Sequence, residues 1–274
     1  MLAKIVDTSD EWITTRTGIK VRNYVDDETT TFMAIEAARA AVNGIDTRKI
    51  SVVIAATFTP DYASPHLSSI ICSELGLPEE VTAFDLNGAC SGFIYALNAS
   101  KCMLQGGYAL VVGSETISKV TDFSDRSSCI LFGDGAGAVV IENAQNHPYR
   151  YVAGRVPGLD VISCKEHIRM NGKEVFRFAV DKICESIRAV MTDDVDYFVC
   201  HQANERILQA AAKKLDIDFG KFFVNIGHVG NTSAASIPIA LDEMNGQGLL
   251  NPGTKLVLSG FGGGLSYGAI YTEV

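Results

Sequence analysis

Short apolar segments alternate along this chain with longer segments of helical periodicity. This alternation favours an α/β fold in which helices cover the sheets. In the first half, the pattern predicts helices near residues 30–43 and 65–75 and after residue 90, and strands at 51–57, 81–86, 108–114 and 138–142. In the second half, it predicts helices near 173–191 and 204–215 and after 236, and strands at 195–200, 221–226, 255–260 and 268–274.

The two halves share more than the order of their elements. The segments FGDGAGAVVIE and FGGGLSYGAIYTE, which end the first and second halves, both begin with a Phe-Gly pair. Two copies of one unit predict two similar sheets packed about a pseudo-twofold axis, with residues 1–145 in one half and 146–274 in the other. Loops at equivalent strand ends would then face one another, and a shared site is expected there.

Three residues with useful chemistry follow predicted strands. Cys90 lies between a strand and an unusually apolar helix, and His201 and Asn231 each follow a strand of the second half. The duplicated fold predicts that these three turns meet, which would combine a thiol nucleophile with a basic partner and a hydrogen-bond donor. By residue type alone, a free cysteine is more often a small core residue, and a lone histidine after an apolar strand is usually a core residue too.

Composition and charge narrow the function classes. The chain has 274 residues, 47% of them hydrophobic, and a formal net charge of −9, which argues against wholesale binding of nucleic acid. No apolar run reaches the ~18–20 residues needed to span a bilayer, and the first residues lack the pattern of a secretory signal peptide. The seven cysteines are scattered without metal-ligand spacing, so we expect reduced thiols in the cytoplasm and no metal site.

Other segments carry weaker signals. FGDGAGA precedes an apolar strand, so its glycines indicate a tight turn and close packing and not a phosphate loop. The glycines of FGGGLSYG follow a strand and could let backbone N–H groups form an oxyanion hole. Trp12 is either a partly buried surface anchor or a stacking platform for a base. Arg206, Lys213 and Lys214 share one helical face, which is either a solvated stripe or a docking surface for an acidic protein or a phosphate group.

Seven ordered motifs resemble those of a known family. They are DTSDEWITTRTGI, ACSGFIYAL, FGDGAGA, NGKEVFRFAV, HQANERI, GNTSAASIP and FGGGLSYG. Together they resemble 3-oxoacyl-[acyl-carrier-protein] synthase III, the condensing enzyme of thiolase fold that starts type II fatty-acid synthesis, and the similarity runs from about Asp7 to the C-terminus. The resemblance implies two duplicated, thiolase-like βαβαβαββ halves in a five-layered αβαβα architecture.

The resemblance also implies roles for individual residues. Cys90 matches the acylated nucleophile, and His201 and Asn231 match the other members of a Cys-His-Asn triad. The N–H groups of Cys90 and Gly263 match the oxyanion hole. The remaining matches are Trp12 and Arg126 for the pair that sandwiches the adenine of coenzyme A, Thr8, Arg16 and Asn204 for other coenzyme A contacts, and Arg206, Lys213 and Lys214 for the basic helix that receives the acyl carrier protein.

The reaction implied by this resemblance uses no metal or redox cofactor. The helix dipole and the imidazole are expected to lower the pKa of Cys90, so that a thiolate takes an acyl group from an acyl-CoA. Malonyl-acyl carrier protein then loses carbon dioxide, and hydrogen bonds from His201 and Asn231 stabilise the enolate. The enolate attacks acyl-Cys90 and gives 3-oxoacyl-carrier protein. The expected partners are acyl-CoA, malonyl-acyl carrier protein and a second copy of the chain in a homodimer.

Several departures from the family pattern lead to further expectations. The family has a first strand before DTSDEW, and we expect its loss from the middle of a packed layer to expose apolar surface and unpaired backbone groups. Residues 143–169 are shorter than the linker and loop of the family and do not resemble them, and the helix before DDVDYF is trimmed. Ser64 stands where the family often has a phenylalanine, supplied by the dimer partner, that limits the acyl pocket. A roomier pocket is therefore predicted.

Two other function classes stay open. One is a related condensing enzyme or acyltransferase of secondary metabolism that uses the same triad on a different acyl acceptor. The other is a catalytically impaired, shortened homologue. Selectivity for the carrier protein would separate the first class from fatty-acid initiation, and trapping of acyl-Cys90 would test the second.

Overall fold

The computed structural model describes residues 2–144 and 147–274, and its regular elements follow the predicted alternation. The α-helices are α1 (Asp10–Thr17), α2 (Thr30–Ala41), α3 (Leu67–Leu75), α4 (Gly92–Met103), α5 (Arg126–Cys129), α6 (Gly172–Val190), α7 (Glu205–Leu215), α8 (Ile226–Val229) and α9 (Ser236–Gly246). The strands are β1 (Ile50–Ala56), β2 (Thr82–Leu86), β3 (Tyr108–Glu115), β4 (Gly135–Glu142), β5 (Arg150–Arg155), β6 (Ile162–Cys164), β7 (Ile168–Met170), β8 (Tyr197–Cys200), β9 (Lys255–Gly262) and β10 (Ser266–Glu273).

The strands form two similar mixed sheets and a small hairpin. The first sheet has the order β2-β1-β3-β4, and the second has the order β5-β10-β9-β8. In each sheet the last strand of the half, β4 or β10, runs antiparallel to the strand before it, while the β1–β3 and β8–β9 pairs are parallel. The strands β6 and β7 pair only with each other. The order of pairing confirms that the second half repeats the first.

The helices arrange the two sheets into five layers. Helices α4 and α9 lie between the sheets, in a core that contains Ile54 of β1, Phe93 of α4 and Leu258 of β9. Helices α2 and α3 cover the outer face of the first sheet, and α6 and α7 cover the outer face of the second. Because both faces of each sheet are buried, the inner strands are almost continuously apolar, and α4 is apolar on most of its surface. The predicted αβαβα architecture is confirmed.

The glycines of FGDGAGA serve close packing, as predicted. A Cβ atom on Gly137 would lie 2.6 Å from the backbone nitrogen of Ile239 in α9. Strand β4 can therefore approach the central helix only because this position lacks a side chain. Gly135 and Gly137 lie within strand β4, and no helix begins at these glycines, which agrees with the rejection of a phosphate loop.

The predicted strand at 221–226 is wrong. Phe222 forms only an isolated bridge with Phe198, and α8 already begins at Ile226. The backbone N–H of Phe223 still donates to the carbonyl of Phe198 in β8 at 3.0 Å, and the side chain of Gln202 supplies the other hydrogen bonds of this segment. Its Nε2 donates to the carbonyl of Phe223 at 3.1 Å, and its Oε1 accepts from the backbone N–H of Asn225 at 3.2 Å.

The expectation about a lost middle strand is also wrong. Strand β4 is the edge of the first sheet, and within residues 2–144 and 147–274 no other strand pairs with its outer side. In the second sheet, β5 occupies the equivalent place beside β10. The position without a strand is therefore at the edge of the sheet and not inside a layer.

Several elements were not predicted. They are the polar helix α1 before the first sheet and the strands β5, β6 and β7, which lie mostly within the segment that does not resemble the family. The predicted division of the chain at residues 145 and 146 lies outside the described residues and stays a prediction. Among the helices that the structure describes, none combines the length and apolar character needed to cross a bilayer.

Candidate active site

Cys90 lies on a tight turn between β2 and the central helix α4. Residues Ala89–Ser91 form a 3-10 turn, and α4 begins immediately after it at Gly92. Ala89 has a φ of 45°, a left-handed conformation that is uncommon for a residue other than glycine. Such strain clusters at functional sites, because the surrounding structure must hold it in place. The turn puts the thiol at the N-terminal end of a helix that is buried between the two sheets.

The second half repeats this turn next to Asn231. Residues Ser233–Ala235 form a 3-10 turn, Ser233 has a φ of 51°, and α9 begins at Ser236. The side chain of Asn231 holds the turn, because its Oδ1 accepts a hydrogen bond from the backbone N–H of Ser233 at 3.0 Å. Asn231 itself is only 5% exposed. Its carboxamide therefore still has its Nδ2 group to offer to a ligand.

His201 is fixed on three sides where the chain leaves β8. Its backbone N–H donates to the carbonyl of Ser259 in β9 at 2.8 Å. Its ring packs edge-on against Phe261, with 5.1 Å between the ring centroids. Its Nδ1 lies 2.7 Å from Oγ of Ser236, the first residue of α9. Burial lowers the pKa of His201 to about 3, so the imidazole is neutral at physiological pH.

The C-terminal end of β9 brings the three turns together. Phe261 touches His201, and the next residue, Gly262, lies against Cys90 so closely that a Cβ atom there would be 2.8 Å from the Cys90 Cβ. On the other side, the Ala89–Ser91 turn packs against the Ser233–Ala235 turn of the second half. The structure thus gathers the turns that carry Cys90, His201 and Asn231 around one point, as the sequence predicted.

Gly263 begins a 3-10 turn directly after this contact. A Cβ atom on Gly263 would lie 3.2 Å from the Cβ of Ala89, which places its backbone beside the turn that carries the thiol. Its predicted partnership with the Cys90 N–H in an oxyanion hole is compatible with this position. Sequence reasoning missed Gly262, although the run of three glycines marks a place where another backbone approaches closely.

The expected lowering of the Cys90 pKa is wrong for this structure. Burial raises the pKa of the thiol to about 12; the neighbouring Ser233 acts in the opposite direction, and the nearby carboxyl of Glu115 raises the pKa further. Cys90 is partly exposed. A thiol with this pKa stays protonated at neutral pH.

Sequence reasoning also missed a buried carboxyl group, that of Glu115, at the end of β3. It is fully buried and accepts hydrogen bonds from the hydroxyl of Thr57 at 3.1 Å, from the backbone N–H of Phe58, and from the backbone and hydroxyl of Thr59. Burial raises the pKa of Glu115 to about 7. The signal in the sequence was a single acidic residue at the end of the apolar run YALVVGS.

The residues predicted to contact coenzyme A form a second group on the surface. The guanidinium groups of Arg16 and Arg126 lie 4.4 Å and 4.9 Å from the centroid of the Trp12 ring. Arg126 also donates to the backbone carbonyl of Asp7 at 2.8 Å. A base can enter between Trp12 and Arg126 only if the arginine moves off the ring.

Thr8 and Asn204 complete this group in different ways. The hydroxyl of Thr8 is buried and has no hydrogen-bond partner among the described residues, which leaves it available to a ligand. The side chain of Asn204 is already engaged, because its Oδ1 caps α7 at Arg206 and its Nδ2 donates to the carbonyl of Arg16 at 3.1 Å. Asn204 therefore joins α7 to the end of α1.

The three basic residues of α7 do not form a uniform patch. Arg206, Lys213 and Lys214 are all exposed. Lys214, however, forms an ion pair with Asp181 of α6 at 2.5 Å. The carboxylate of Asp181 thus compensates the positive charge of Lys214, and this face of α7 carries less net positive charge than the sequence predicted.

Ser64 does not join the Cys90 cluster within this chain. It is exposed and lies just before α3, whose first backbone N–H groups donate to the carboxylate of Asp85 in β2. Because β2 is the other edge of the first sheet, Ser64 stands near an unpaired strand edge. If Ser64 borders an acyl pocket, as predicted, that pocket would belong to a second copy of the chain.

The five-layered fold and the buried turn that carries Cys90 define a condensing enzyme of thiolase fold. Two family models match the chain, 3-Oxoacyl-[acyl-carrier-protein (ACP)] synthase III over residues 84–154 and the C-terminal model of the same family over residues 187–274. A beta-ketoacyl-[acyl-carrier-protein] synthase III from Clostridium acetobutylicum is 44% identical over 98% of this chain and 91% of the relative. The chain therefore belongs to the 3-oxoacyl-[acyl-carrier-protein] synthase III family of acyltransferases.

Solved structures agree with this assignment. The 3-oxoacyl-[acyl-carrier-protein] synthase III from Aquifex aeolicus is 40% identical, with a TM-score of 0.95 over 100% of this chain and 94% of that chain. The priming beta-ketosynthase from the R1128 polyketide biosynthetic pathway is 34% identical, with a TM-score of 0.92 over 100% of this chain and 90% of that chain. The same architecture thus occurs in a 3-oxoacyl-[acyl-carrier-protein] synthase III and in the priming beta-ketosynthase of a polyketide pathway.

Proposed function

We propose that this chain condenses an acyl-CoA primer with malonyl-acyl carrier protein to give 3-oxoacyl-acyl carrier protein, the step that initiates type II fatty-acid synthesis. The observation that carries the proposal is the convergence of the Cys90, His201 and Asn231 turns at the end of β9. Membership of the family, with 44% identity to a curated relative, supports the same reaction.

In the first step, Cys90 takes the acyl group. The thiol attacks the carbonyl carbon of the acyl-CoA and loses its proton, and the C–S bond to coenzyme A breaks. The departing coenzyme A sulfur takes up a proton, and an acyl-Cys90 thioester remains. The N–H groups of Cys90 and Gly263 are proposed to bind the developing oxyanion. One such donor is worth about 3 kcal/mol of the barrier.

In the second step, His201 and Asn231 act as hydrogen-bond donors. A neutral imidazole is suited to this, because the oxygen of the malonyl thioester needs a donor when carbon dioxide leaves. The hydroxyl of Ser236 accepts from the backbone N–H of Gln202 at 3.4 Å, so it can give its own proton to Nδ1 of His201. That arrangement leaves the ring proton on Nε2, which is the atom free to donate.

The surface groups are proposed to receive the two substrates. Trp12 and Arg126 would hold the adenine of coenzyme A after Arg126 has moved, with Thr8, Arg16 and Asn204 beside it. On α7, Arg206 and Lys213 would attract the acidic carrier protein more strongly than Lys214, because Lys214 is paired with Asp181. All seven cysteines are free thiols, which supports a reducing, cytoplasmic setting.

We also propose a homodimer formed along β2. This strand is an unpaired edge of the first sheet, and an exposed edge is a ready template for pairing with another chain. In such a dimer, Ser64 of one copy would lie near the acyl pocket of the other. A small side chain there predicts that longer or branched acyl-CoA primers react at least as well as acetyl-CoA, which a series of primer chain lengths would measure.

The experiment that tests the function is trapping of the acyl-enzyme. After addition of acetyl-CoA, intact mass spectrometry should show the mass of one acetyl group on the wild-type chain and none on Cys90→Ala. Cys102→Ala is the matched control, because Cys102 is an exposed cysteine on the same helix. If the wild type stays unlabelled, or if Cys90→Ala is labelled equally, the chain is a catalytically impaired homologue and the proposal is wrong.

A second candidate function is priming of polyketide synthesis. The observation that favours it is the likeness to the R1128 priming beta-ketosynthase. The two functions differ in the carrier protein that accepts the product. Rates of condensation with malonyl groups on a fatty-acid carrier protein and on a polyketide carrier protein would separate them, and a preference for the polyketide carrier would support the second candidate.

A further inference from the structure

Each half of the molecule supports a turn of the other half with the end of one strand. A Cβ atom on Gly262, the last residue of β9, would lie 2.8 Å from the Cβ of Cys90 in the first half. A Cβ atom on Gly113 of β3 would lie 2.5 Å from the carbonyl oxygen of Ala234 in the second half. The turn that carries Cys90 therefore packs on β9, and the Ser233–Ala235 turn packs on β3.

Glu115 of β3 stands at the position that Gly262 has in β9. Both strands have eight residues, and they end at Glu115 and Gly262. Gly113 and Gly260 correspond as well, and a Cβ atom on either would come within 3.4 Å of the backbone of the turn that it supports. The second half shows that the last position of this strand can be a glycine. A carboxyl group there is therefore not a requirement of the duplicated fold.

The carboxyl group of Glu115 joins the loop after β1 to the Ser233–Ala235 turn. Its Oε2 accepts from the hydroxyl of Thr57 and from the backbone N–H of Thr59, both at 3.1 Å. Its Oε1 accepts from the hydroxyl of Ser233 at 3.3 Å. Glu115 is fully buried and Ser233 is 1% exposed, so these hydrogen bonds form in a region of low dielectric. One oxygen of the carboxyl group is thus held by the first half, and the other holds the second half.

Ser233 in turn orients the side chain of Asn231. Its backbone N–H donates to Oδ1 of Asn231 at 3.0 Å, and its left-handed φ of 51° persists only if the surroundings hold it. In the first half, Asn87 accepts in the same way from the backbone N–H of Ala89 at 3.2 Å, but Asn87 is exposed and Ala89 has no hydroxyl. The second half differs because its amide is 5% exposed and its turn is tied to a carboxyl group.

We propose that Glu115 is a positioning residue for Asn231 and acts through the hydroxyl of Ser233. The carboxyl group fixes the Ser233–Ala235 turn, the turn fixes Oδ1 of Asn231, and Nδ2 is thereby directed toward the thioester oxygen of the malonyl substrate. A donor to a developing oxyanion works at about 2.7–3.1 Å, so a small displacement of the turn weakens it. This inference rests on the proposed function and adds a residue that supports the decarboxylation step.

The test is Ser233→Ala, with the two steps of the reaction measured separately. Ala89 already occupies the equivalent left-handed position, so this variant is expected to fold. The rate constant for decarboxylation of malonyl-acyl carrier protein should fall about tenfold, because the amide donor is displaced and not removed. Acylation of Cys90 by acetyl-CoA, and KM for malonyl-acyl carrier protein, should stay within about twofold of the wild type.

A cycle of single and double variants separates positioning from a purely structural role. Asn231→Ala removes the amide, so adding Ser233→Ala to it should lower decarboxylation no further. A general loosening of the site would instead multiply the two losses. Glu115→Gln should lose at least as much as Ser233→Ala, because its amide N–H groups meet donors where the carboxylate offers an acceptor. Combining Glu115→Gln with Ser233→Ala should lose no more than Glu115→Gln alone.

Two variants serve as controls. Thr57→Val is the matched control, because it removes a hydrogen bond from the same carboxyl group and leaves the bond between Glu115 and Ser233 in place. Ser100→Ala removes a buried hydroxyl near the C-terminal end of α4. Both controls should decarboxylate malonyl-acyl carrier protein at the rate of the wild type.

The possible outcomes are distinct. If the wild type performs both steps but Ser233→Ala keeps the wild-type rates, or its loss multiplies with that of Asn231→Ala, the positioning role is wrong and the proposed function stands. An equal loss in Thr57→Val would also overturn the positioning role. A wild type that performs neither step contradicts the proposed function, and the inference fails with it. Should Glu115→Gln not fold, as judged by circular dichroism, the cycle of Ser233→Ala and Asn231→Ala decides.

Discussion

The two halves of the molecule use the same backbone turn for different chemistry. In the first half, Ala89 adopts the left-handed conformation and the next residue, Cys90, supplies the thiol. In the second half, Ser233 adopts that conformation, its hydroxyl donates to Glu115 of the first half, and the side chain of Asn231 accepts from its backbone N–H. Duplication of the fold thus accounts for the convergence of the turns, and divergence of the side chains puts the thiol in one half and the hydroxyl and carboxamide in the other.

The halves also differ at the edges of their sheets. Strand β10 is paired on both sides, by β9 and by β5, whereas β4 is paired only with β3 in the part of the chain that the structure describes. Residues of β4 are accordingly more exposed than the corresponding residues of β10. The turns of the candidate active site lie at the ends of strands, whereas the difference in strand pairing lies at the edge of the sheet. The first comparison therefore concerns the chemistry of the site, and the second concerns the stability of the fold.

The largest effect is expected when the second-half residues His201 and Asn231 are substituted. His201→Ala and Asn231→Ala should each reduce decarboxylation of malonyl-acyl carrier protein by about 10²–10³-fold, the usual loss for one donor to a developing oxyanion. Acylation of Cys90 should change only slightly, because these groups support the other step. Since the pKa of His201 is lowered to about 3, the ring is neutral and the decarboxylation rate constant of the wild type should be flat between about pH 5 and pH 8.

His228→Ala is the matched control, because His228 is exposed and pairs with Glu243 at the surface. Release of carbon dioxide and the mass of the acyl-enzyme measure the two steps separately. An equal loss of acylation and decarboxylation in His201→Ala would show that the second half also serves the nucleophile. A decarboxylation rate that follows the titration of a histidine near its ordinary pKa would contradict the neutral donor.

Strands with both faces buried could be predicted from the sequence, because burial on both sides leaves a continuous apolar run. This explains the agreement for β1 and β3. The edge strand β5 was missed, since most of its residues are exposed or partly exposed and the apolar signal is weak. The strand at 221–226 was predicted from its apolar residues, but its backbone is bonded by Gln202, which no local pattern reveals.

The meeting of the turns that carry Cys90, His201 and Asn231 could be predicted, but the electrostatics of these groups could not. The catalytic roles of the three residues stay predictions. Cys90, His201 and Asn231 stand at turns that any duplicated α/β pattern brings together. The direction of the Cys90 pKa shift depends on burial and on Glu115, which lies 25 positions further along the chain, on another strand. A helix start favours a thiolate in isolation, whereas desolvation inside the fold opposes it.

The next largest effect is expected on the free energy of unfolding, when residues of β10 and of the edge strand β4 are substituted. Ile270 of β10 and Ile141 of β4 both pack against the central core, but Ile270 is 1% exposed and Ile141 is only partly buried. Ile270→Ala should lower the free energy of unfolding by about 2–5 kcal/mol, and Ile141→Ala by roughly half as much, because its site is less enclosed. Urea unfolding of the two variants measures the difference. Equal losses would mean that the edge of β4 is as well covered as β10.

The smallest effect should come from the contact that sets the orientation of His201. Ser236 is the first residue of α9, and the structurally equivalent residue of α4 is Gly92, so only the second half has a hydroxyl at this position. Ser236→Ala should lower decarboxylation by about tenfold, because the ring can then place its proton on Nδ1 and turn Nε2 into an acceptor. Acylation and the free energy of unfolding of this variant should stay near those of Ser100→Ala. A loss as large as that of His201→Ala would instead mean that Ser236 holds the whole ring in place, and no loss would mean that packing against Phe261 orients it alone.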